Sequence, residues 1–118
     1  MRQIGREYEE VAAQFLRRQG FKIVEHSYRC RLGEVDIVAY EGEALVFVEV
    51  KARSNPDFGG PFCAVAEAQK KRIVKAAIAY IKAKNVKPES IRFDVVGIVP
   101  GEEPELVRNA FSSDRYFM

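Results

Sequence analysis

The sequence contains few of the residues that hold metal-binding or disulfide-linked domains together. Its 118 residues include two cysteines, one histidine and no tryptophan. Cys30 and Cys63 are 33 positions apart without a Cys-x-x-Cys pair, and His26 alone cannot complete a Cys/His zinc set with them. We therefore expect neither a zinc site nor a disulfide framework.

Long apolar stretches are also missing from the sequence. The longest apolar runs, such as residues 44–48, stop far short of the ~20 residues that span a bilayer. The amino terminus opens with charged residues rather than with an apolar signal segment. These features predict a soluble, cytoplasmic chain with no membrane partner.

Acidic and basic residues nearly balance over the whole sequence, but basic residues are concentrated in one segment. The 19 basic and 17 acidic side chains leave a net charge of +2, which by itself does not indicate a nucleic-acid binder. Residues 67–84, however, hold six basic residues against one acid. With 47% apolar and 31% charged residues, the chain is expected to form a single domain over residues 1–118, with enough core to fold without disulfides.

The hydrophobic periodicity predicts an α/β domain. Apolar residues between positions 4 and 16 recur at spacings of three and four, which is typical of a helix with one buried face, and Gly20 follows as a stop signal. Three segments rich in β-forming residues come next, joined by short turns, and predict an antiparallel meander. In chain order, the elements expected after the first helix are strands at 21–29, 34–40 and 44–51, a loop at 52–63, a helix at 65–84, a strand at 91–96 and a weaker strand at 105–110. A helix, three strands, a helix and a strand imply a mixed β-sheet flanked by helices.

Acidic and basic side chains interrupt the two hairpin strands at matching ends. Side chains alternate along a strand, so Glu49 and Lys51 share one face, and Glu34 and Asp36 share a face of the preceding strand. The short turn at Gly42 folds the two strands together, which can bring two carboxylates and a lysine into one place. Such a group suits Mg²⁺, which prefers oxygen ligands and is commonly held by one or two carboxylates plus phosphate oxygens.

A structural explanation competes with this one. A Glu-x-Lys triplet by itself is more typical of a surface ion pair, which is worth ~0–1 kcal/mol. Charged residues in strands that otherwise bury apolar side chains are costly unless they are paired or bound to a metal. We therefore favour a functional site, with a structural ion-pair cluster as the alternative.

The same residues resemble a known nuclease signature. Asp36 followed across a hairpin by Glu49 and Lys51 resembles the PD-(D/E)XK motif, and the order of elements is similar to the core of that superfamily. Further segments together resemble the bacterial YraN family, which is nuclease-like and related in fold to archaeal Holliday-junction resolvases. They are G-R at 5–6, E-E-V-A-A at 9–13, F-L at 15–16, G-E-V-D at 33–36, V-F-V-E-V-K-A-R at 46–53, R-F-D-V-V at 92–96 and R-N-A-F at 108–111.

This resemblance implies a restriction-endonuclease-like fold and a metal site. Asp36 and Glu49 would bind Mg²⁺ or Mn²⁺, the carbonyl of Val50 would supply a third oxygen, and Lys51 would be the catalytic lysine. Glu9 matches a first-helix glutamate that related resolvases bring to the same site, although a solvated helix-surface role is equally compatible with its position. The sequence departs from the superfamily pattern at Val35, where the motif name gives proline, and at Cys63, where many relatives carry an acid.

Other polar residues have weaker assignments. Gln69 resembles a glutamine that some nucleases place on the second helix, but the tyrosine that completes that motif is missing. His26 is expected to be an ordinary strand residue, and Asp94 is expected to satisfy a structural partner. The side chains expected to contact DNA phosphates are basic and lie close in sequence to the predicted site: Arg53, Lys70, Lys71, Arg72 and Lys75.

These features predict a Mg²⁺-dependent or Mn²⁺-dependent deoxyribonuclease that acts on branched or damaged DNA in repair or recombination. Because a 13.4 kDa monomer has a small footprint and junction cleavage needs two nicks, we also expect a homodimer. Two alternatives stay open. One is a non-catalytic DNA-binding module that keeps the fold, and the other is a protein-interaction subunit in which the charged residues only tie the hairpin together.

Overall fold

The residues that the structure describes fold into one mixed β-sheet with two helices. The computed structural model describes residues 2–52 and 65–113, so residues 53–63 of the predicted loop, Arg53 and Cys63 among them, lie outside the described residues. The elements are α1 (Arg2–Arg18), β1 (Lys22–Cys30), β2 (Gly33–Glu41), β3 (Ala44–Ala52), α2 (Glu67–Lys84), β4 (Ser90–Ile98) and β5 (Glu105–Phe111). The predicted order of elements is confirmed, and most of the predicted ends lie within two residues of the observed ones.

The strands lie side by side in chain order, β1-β2-β3-β4-β5. The first three form the predicted antiparallel meander, and β5 is antiparallel to β4. Only β3 and β4 are parallel, which requires the connection through α2. This arrangement is an α/β fold consistent with a restriction-endonuclease-like core.

Each face of the sheet is covered by one helix. Ala12 and Leu16 of α1 pack against a cluster that includes Val46 and Val48, whereas α2 packs against Leu45 and Phe47. Adjacent residues of β3 therefore point to opposite helices, as the sequence predicts for an interior strand buried on both sides. None of the helices among the described residues is long and apolar enough to cross a membrane.

Both outer strands of the sheet are irregular. The β1–β2 pairing shifts register between Ile23 and Glu25, and Ser27 of β1 has φ of 50°. The β4–β5 pairing shifts between Phe93 and Val95, and Asn109 of β5 has φ of 54°. Bulged edges discourage pairing with another strand.

The G-E-V-D segment begins with a glycine because α2 passes directly over it. A Cβ at Gly33 would overlap the backbone carbonyl of Arg72, at 2.7 Å from the carbonyl carbon and closer still to the oxygen. The contact places the start of β2 against the first half of α2. The sequence indicated only a tight connection at this point, since a close approach between distant segments leaves no local pattern.

Replacing Gly33 with Ala should push α2 away from the sheet. We expect a loss of about 1–3 kcal/mol in the free energy of unfolding and a melting temperature lower by several degrees. A matched control is Gly42→Asn, because Gly42 has φ of 61°, which asparagine tolerates, and no atom lies within 4 Å of the place that a Cβ would take there. An unchanged melting temperature for Gly33→Ala would contradict the close contact.

A charged network joins β2, β4 and β5. Asp94 is fully buried and accepts hydrogen bonds from Arg92 at 2.9 and 2.7 Å and from the backbone N–H of Asn109 at 2.9 Å. Arg92 also binds Glu41, which Arg108 holds through bonds of 3.0 and 2.7 Å. The expectation that Asp94 has a structural partner is confirmed.

The same network makes acid stability depend on Glu41. Hydrogen bonds from Arg108 and Arg92 lower the pKa of Glu41 from 4.5 to about 2. A carboxylate with a depressed folded-state pKa stabilises the fold above its unfolded pKa, and this contribution is lost as pH falls towards 2. When the pH falls from 4.5 to 2, the free energy of unfolding should decrease less for Glu41→Gln than for the unmodified chain. Urea unfolding at each pH measures this difference. Equal losses in the two proteins would contradict this assignment, and Glu43→Gln, in the exposed turn, is the control.

Candidate active site

The candidate site lies where β2 and β3 separate. Their pairing runs from Glu41 opposite Ala44 to Ile37 opposite Val48 and ends there, although both strands continue. Asp36 and Glu49 are the next residues on the two strands. The backbone N–H of Val50, left without a partner on β2, donates a hydrogen bond of 2.8 Å to Oδ2 of Asp36. The open end of the hairpin thus presents two carboxylates.

A small cavity of about 180 Å³ opens between these strands and both helices. Residues from four elements line it: Tyr8 and Glu9 of α1, Glu34 and Asp36 of β2, Glu49, Val50 and Ala52 of β3, and Gln69 of α2. The structure therefore brings together the predicted Asp36, Glu49, Val50 and Glu9. It also places Glu34 beside them, where Arg29 contacts that carboxylate at 3.2 Å.

Burial and mutual repulsion disfavour negative charge in this cavity. Burial, followed by the charges of Glu49 and Glu9, raises the pKa of Asp36 from 3.8 to about 9. Burial also raises the pKa of Glu49, against the opposing effects of a hydrogen bond with Asp36, the charge of Lys51 and a hydrogen bond from Gln69. Carboxylates crowded in this way are expensive to keep ionised unless a cation joins them. Oxygen ligands in a compact acidic cavity fit a hard divalent cation such as Mg²⁺.

Two polar side chains hold the carboxylates in place. Gln69 donates a hydrogen bond of 3.3 Å from Nε2 to Oε2 of Glu49. The hydroxyl of Ser27 donates a bond of 2.8 Å to Oε1 of Glu9, which is only 7% exposed. Glu9 is thus turned into the site rather than to solvent. Second-layer hydrogen bonds of this kind fix the orientation of metal-binding side chains.

Ser27 is the residue that the sequence patterns do not predict. It lies between the pairs formed by His26 with Ile37 and by Tyr28 with Val35, and therefore stands opposite Asp36. Its φ of 50° is uncommon for a serine in a strand. Nothing in the sequence signals this conformation, because serine is unremarkable at a strand position.

Lys51 lies at the margin of the cavity. It is partly buried on β3, two positions beyond Glu49, and its charge lowers the pKa of Glu49. It is not among the residues that line the cavity. A lysine in this position can reach towards a bound phosphate without itself filling the space between the carboxylates.

Side chains alone do not complete a metal site. Within residues 2–52 and 65–113, no group of three or more His, Cys, Asp and Glu side chains is arranged to hold a metal ion. A cation between Asp36 and Glu49 would therefore need the carbonyl of Val50 and water or phosphate oxygens as further ligands. Mg²⁺ commonly keeps several waters and uses few protein ligands, so this set is sufficient for it.

The basic residues of α2 are spread around the helix. Lys70 contacts Glu67 at 3.4 Å, and its ammonium lies 5.8 Å from the centre of the Phe111 ring. Lys71 is exposed and follows Gln69 by two positions, which is about 200° of rotation around a helix. It therefore points away from the cavity that Gln69 faces.

Contact with DNA stays a prediction for the basic residues of α2, which are Lys70, Lys71, Arg72 and Lys75. Arg53 lies outside the described residues.

Comparison with known proteins gives a consistent result over most of the chain. Residues 8–98 match the family described as "Uncharacterised protein family UPF0102". A UPF0102 protein of Desulforapulum autotrophicum is 45% identical over 114 residues, which cover 94% of this chain and 94% of that relative. UPF0102 proteins of Dechloromonas aromatica and Dictyoglomus thermophilum are 43% and 45% identical, covering 93% and 83% of this chain and 89% and 83% of those relatives.

Proposed function

The chain belongs to the family UPF0102, the YraN family, and we propose that it is a metal-dependent DNA endonuclease that hydrolyses phosphodiester bonds. One observation carries the proposal: the buried Glu49 and the partly buried Asp36 converge at the open end of a hairpin. Burial raises the pKa of both groups, and the charge of Glu49 raises the pKa of Asp36 further. A purely structural pair would be expected to face a cation of the protein, and here they face a cavity of about 180 Å³.

Each residue of the site has a role in this proposal. Asp36, Glu49 and the Val50 carbonyl would hold Mg²⁺ or Mn²⁺, and Glu9 would hold a bound water or the ion from the side of α1. When bound, the ion would polarise the scissile phosphate and lower the pKa of a water molecule. Lys51 would orient the nucleophile or, as the neutral amine, deprotonate it, and as the ammonium it would offset the negative charge that develops on the phosphate. Gln69 and Ser27 would keep Glu49 and Glu9 in position.

The contacts of the site also bear on the structural alternative. A hairpin tied together by ion pairs would show Lys51 or another cation bound to Asp36 or Glu49. Instead, among the described residues, the hydrogen bonds to these two carboxylates come from the Val50 N–H, from Gln69 and from the neighbouring acids. Neutral donors and other acids add little to stability compared with the cost of burying two carboxylates. The arrangement is better suited to receiving a cation than to stabilising the fold.

The proposal is tested by incubating the purified full chain with supercoiled plasmid and with a synthetic four-way junction. We expect cleavage with Mg²⁺ or Mn²⁺ and none with a chelator. Glu49→Gln should remove cleavage, which would exclude a contaminating nuclease. DNA binding without cleavage would favour the non-catalytic module, and an absence of both would favour a protein-interaction subunit.

A further inference from the structure

A second concave surface lies between the β1–β2 turn and α2, and none of the carboxylates lines it. It is a groove of about 480 Å³ lined by Cys30, Arg31 and Leu32 of the β1–β2 turn and by Ala79 of α2. Leu32 is 55% exposed, the largest exposure among the large apolar side chains of the described residues. We call this surface the turn–helix groove. Its two walls are held together by the contact of Gly33 with the backbone of Arg72.

Arg31 lines this groove, and helical spacing places further cations on either side of Ala79 along α2. On α2, residues at spacings of three, four and three share one face of the helix. This spacing is followed by Arg72, Lys75, Ala79 and Lys82. Ala79 therefore lies between Lys75 and Lys82 on one face of the helix, and Arg72 lies on the same face one turn before Lys75. Arg31 lies across the groove from them. In the part of the chain that the structure describes, none of these four cations forms an ion pair with an acid.

The groove is separate from the candidate active site. Ala79 follows Gln69 by ten residues, which corresponds to about 15 Å along a helix. Gln69 faces the carboxylates, whereas Ala79 faces the β1–β2 turn. A ligand can therefore occupy the groove while the carboxylate cavity stays open.

We propose that the turn–helix groove binds an acidic polypeptide segment that carries an apolar side chain. The groove suits a ligand in which carboxylates flank a leucine-like group. The apolar group would displace water from Leu32 and Ala79, and the carboxylates would lie next to cations that have no acidic partner. DNA fits the groove less well. Phosphates need the cations but leave Leu32 and Ala79 without a partner, and no aromatic ring is among the described residues that line the groove, so bases have nothing to stack on.

The test uses two synthetic probes and an amide ¹H–¹⁵N spectrum of the full chain. One probe is a short peptide of aspartates and glutamates ending in a single leucine, and the other has alanine in place of that leucine. We expect saturable shifts with the leucine peptide at a dissociation constant below about 1 mM. The shifts should lie at residues 30–33 and 72–82, and the alanine peptide should bind more weakly.

Matched variants separate the two parts of the groove. Lys75→Glu should weaken binding of the leucine peptide by about tenfold or more, because a cation at the rim is exchanged for an acid. Lys22→Glu makes the same change of charge at the opposite end of the β1–β2 hairpin and should leave binding unchanged. Leu32→Ser should weaken the leucine peptide but not the alanine peptide. The dispersed spectrum of each variant shows whether it is folded.

Four results would overturn the proposal. They are no saturable shifts with the leucine peptide, shifts centred on Asp36 and Glu49, equal binding of the leucine and alanine peptides, and groove shifts on diluting the chain alone. The last would show that a second copy covers the groove. If Lys75→Glu impairs binding of duplex DNA while the peptide does not bind, the groove serves nucleic acid instead. Because DNA cleavage is not measured here, failure of this proposal leaves the endonuclease proposal intact, and the reverse also holds.

Discussion

Replacing Asp36 with Asn is expected to lower metal-dependent DNA cleavage by at least about a hundredfold while leaving the fold as stable as before, or more stable. Asparagine keeps the shape of the side chain and can still accept the hydrogen bond from the Val50 N–H. It removes a charge that burial and the neighbouring Glu49 and Glu9 disfavour, so the free energy of unfolding should not fall. The two readouts are the initial rate of plasmid nicking with saturating Mn²⁺ and the melting temperature in chelator.

The cleavage rate and the melting temperature together show whether Asp36 has a catalytic role or only stabilises the fold. A carboxylate that holds the hairpin together would lose stability when neutralised, and cleavage would fall only as far as the folded fraction. Lys51→Ala should reduce cleavage by a similar factor, since the ammonium would act on the developing charge of the phosphate. Glu43→Gln and Lys22→Ala make the same changes of charge at exposed positions and should keep full activity. Cleavage that survives in both Asp36→Asn and Lys51→Ala would contradict the assignment of the site.

The largest effect on stability is expected from Arg92→Leu. This change leaves the fully buried Asp94 without the guanidinium that binds both of its oxygens. Breaking a buried ion pair from one side costs about 3–5 kcal/mol, because the remaining charge has no adequate partner. The hydrogen bond from the Asn109 N–H persists but does not replace a cation. Urea unfolding at neutral pH measures the loss directly.

Arg108→Ala is the matched control for this prediction. Arg108 binds the same network through Glu41, but its side chain is 49% exposed, and solvent-exposed ion pairs contribute only ~0–1 kcal/mol. The two arginine variants should therefore differ clearly in unfolding free energy. Equal losses in both would indicate that Asp94 is compensated by other groups. Below its melting temperature, Arg92→Leu should retain DNA cleavage, because the network does not line the carboxylate cavity.

Local patterns in the sequence account for most of the fold. The alternation along β3 predicts correctly that Leu45 and Phe47 face one helix and Val46 and Val48 the other. The short turn at Gly42 fixes the register that brings Asp36 next to Glu49. These inferences succeed because side-chain period and turn length act over a few residues, where the chain has little freedom.

Contacts between segments that are distant in the sequence could not be predicted from local patterns. Glu41 and Arg108 are 67 positions apart, and Gly33 meets the backbone of Arg72, so neither contact has a local signature. The conformation of Ser27 follows from its place opposite Asp36 rather than from its own preference. Helical spacing shows that Lys71 points away from Gln69, but only the folded chain shows that Gln69 faces the carboxylates.

The proposal that Asp36 and Glu49 share a divalent cation is tested most directly by anomalous diffraction from a crystal containing Mn²⁺. The structure leads us to expect a single strong peak bonded to both carboxylates and to the Val50 carbonyl, and no such peak in Asp36→Asn. A peak confined to other acids at saturating Mn²⁺, with Asp36 and Glu49 still hydrogen-bonded to each other, would contradict it.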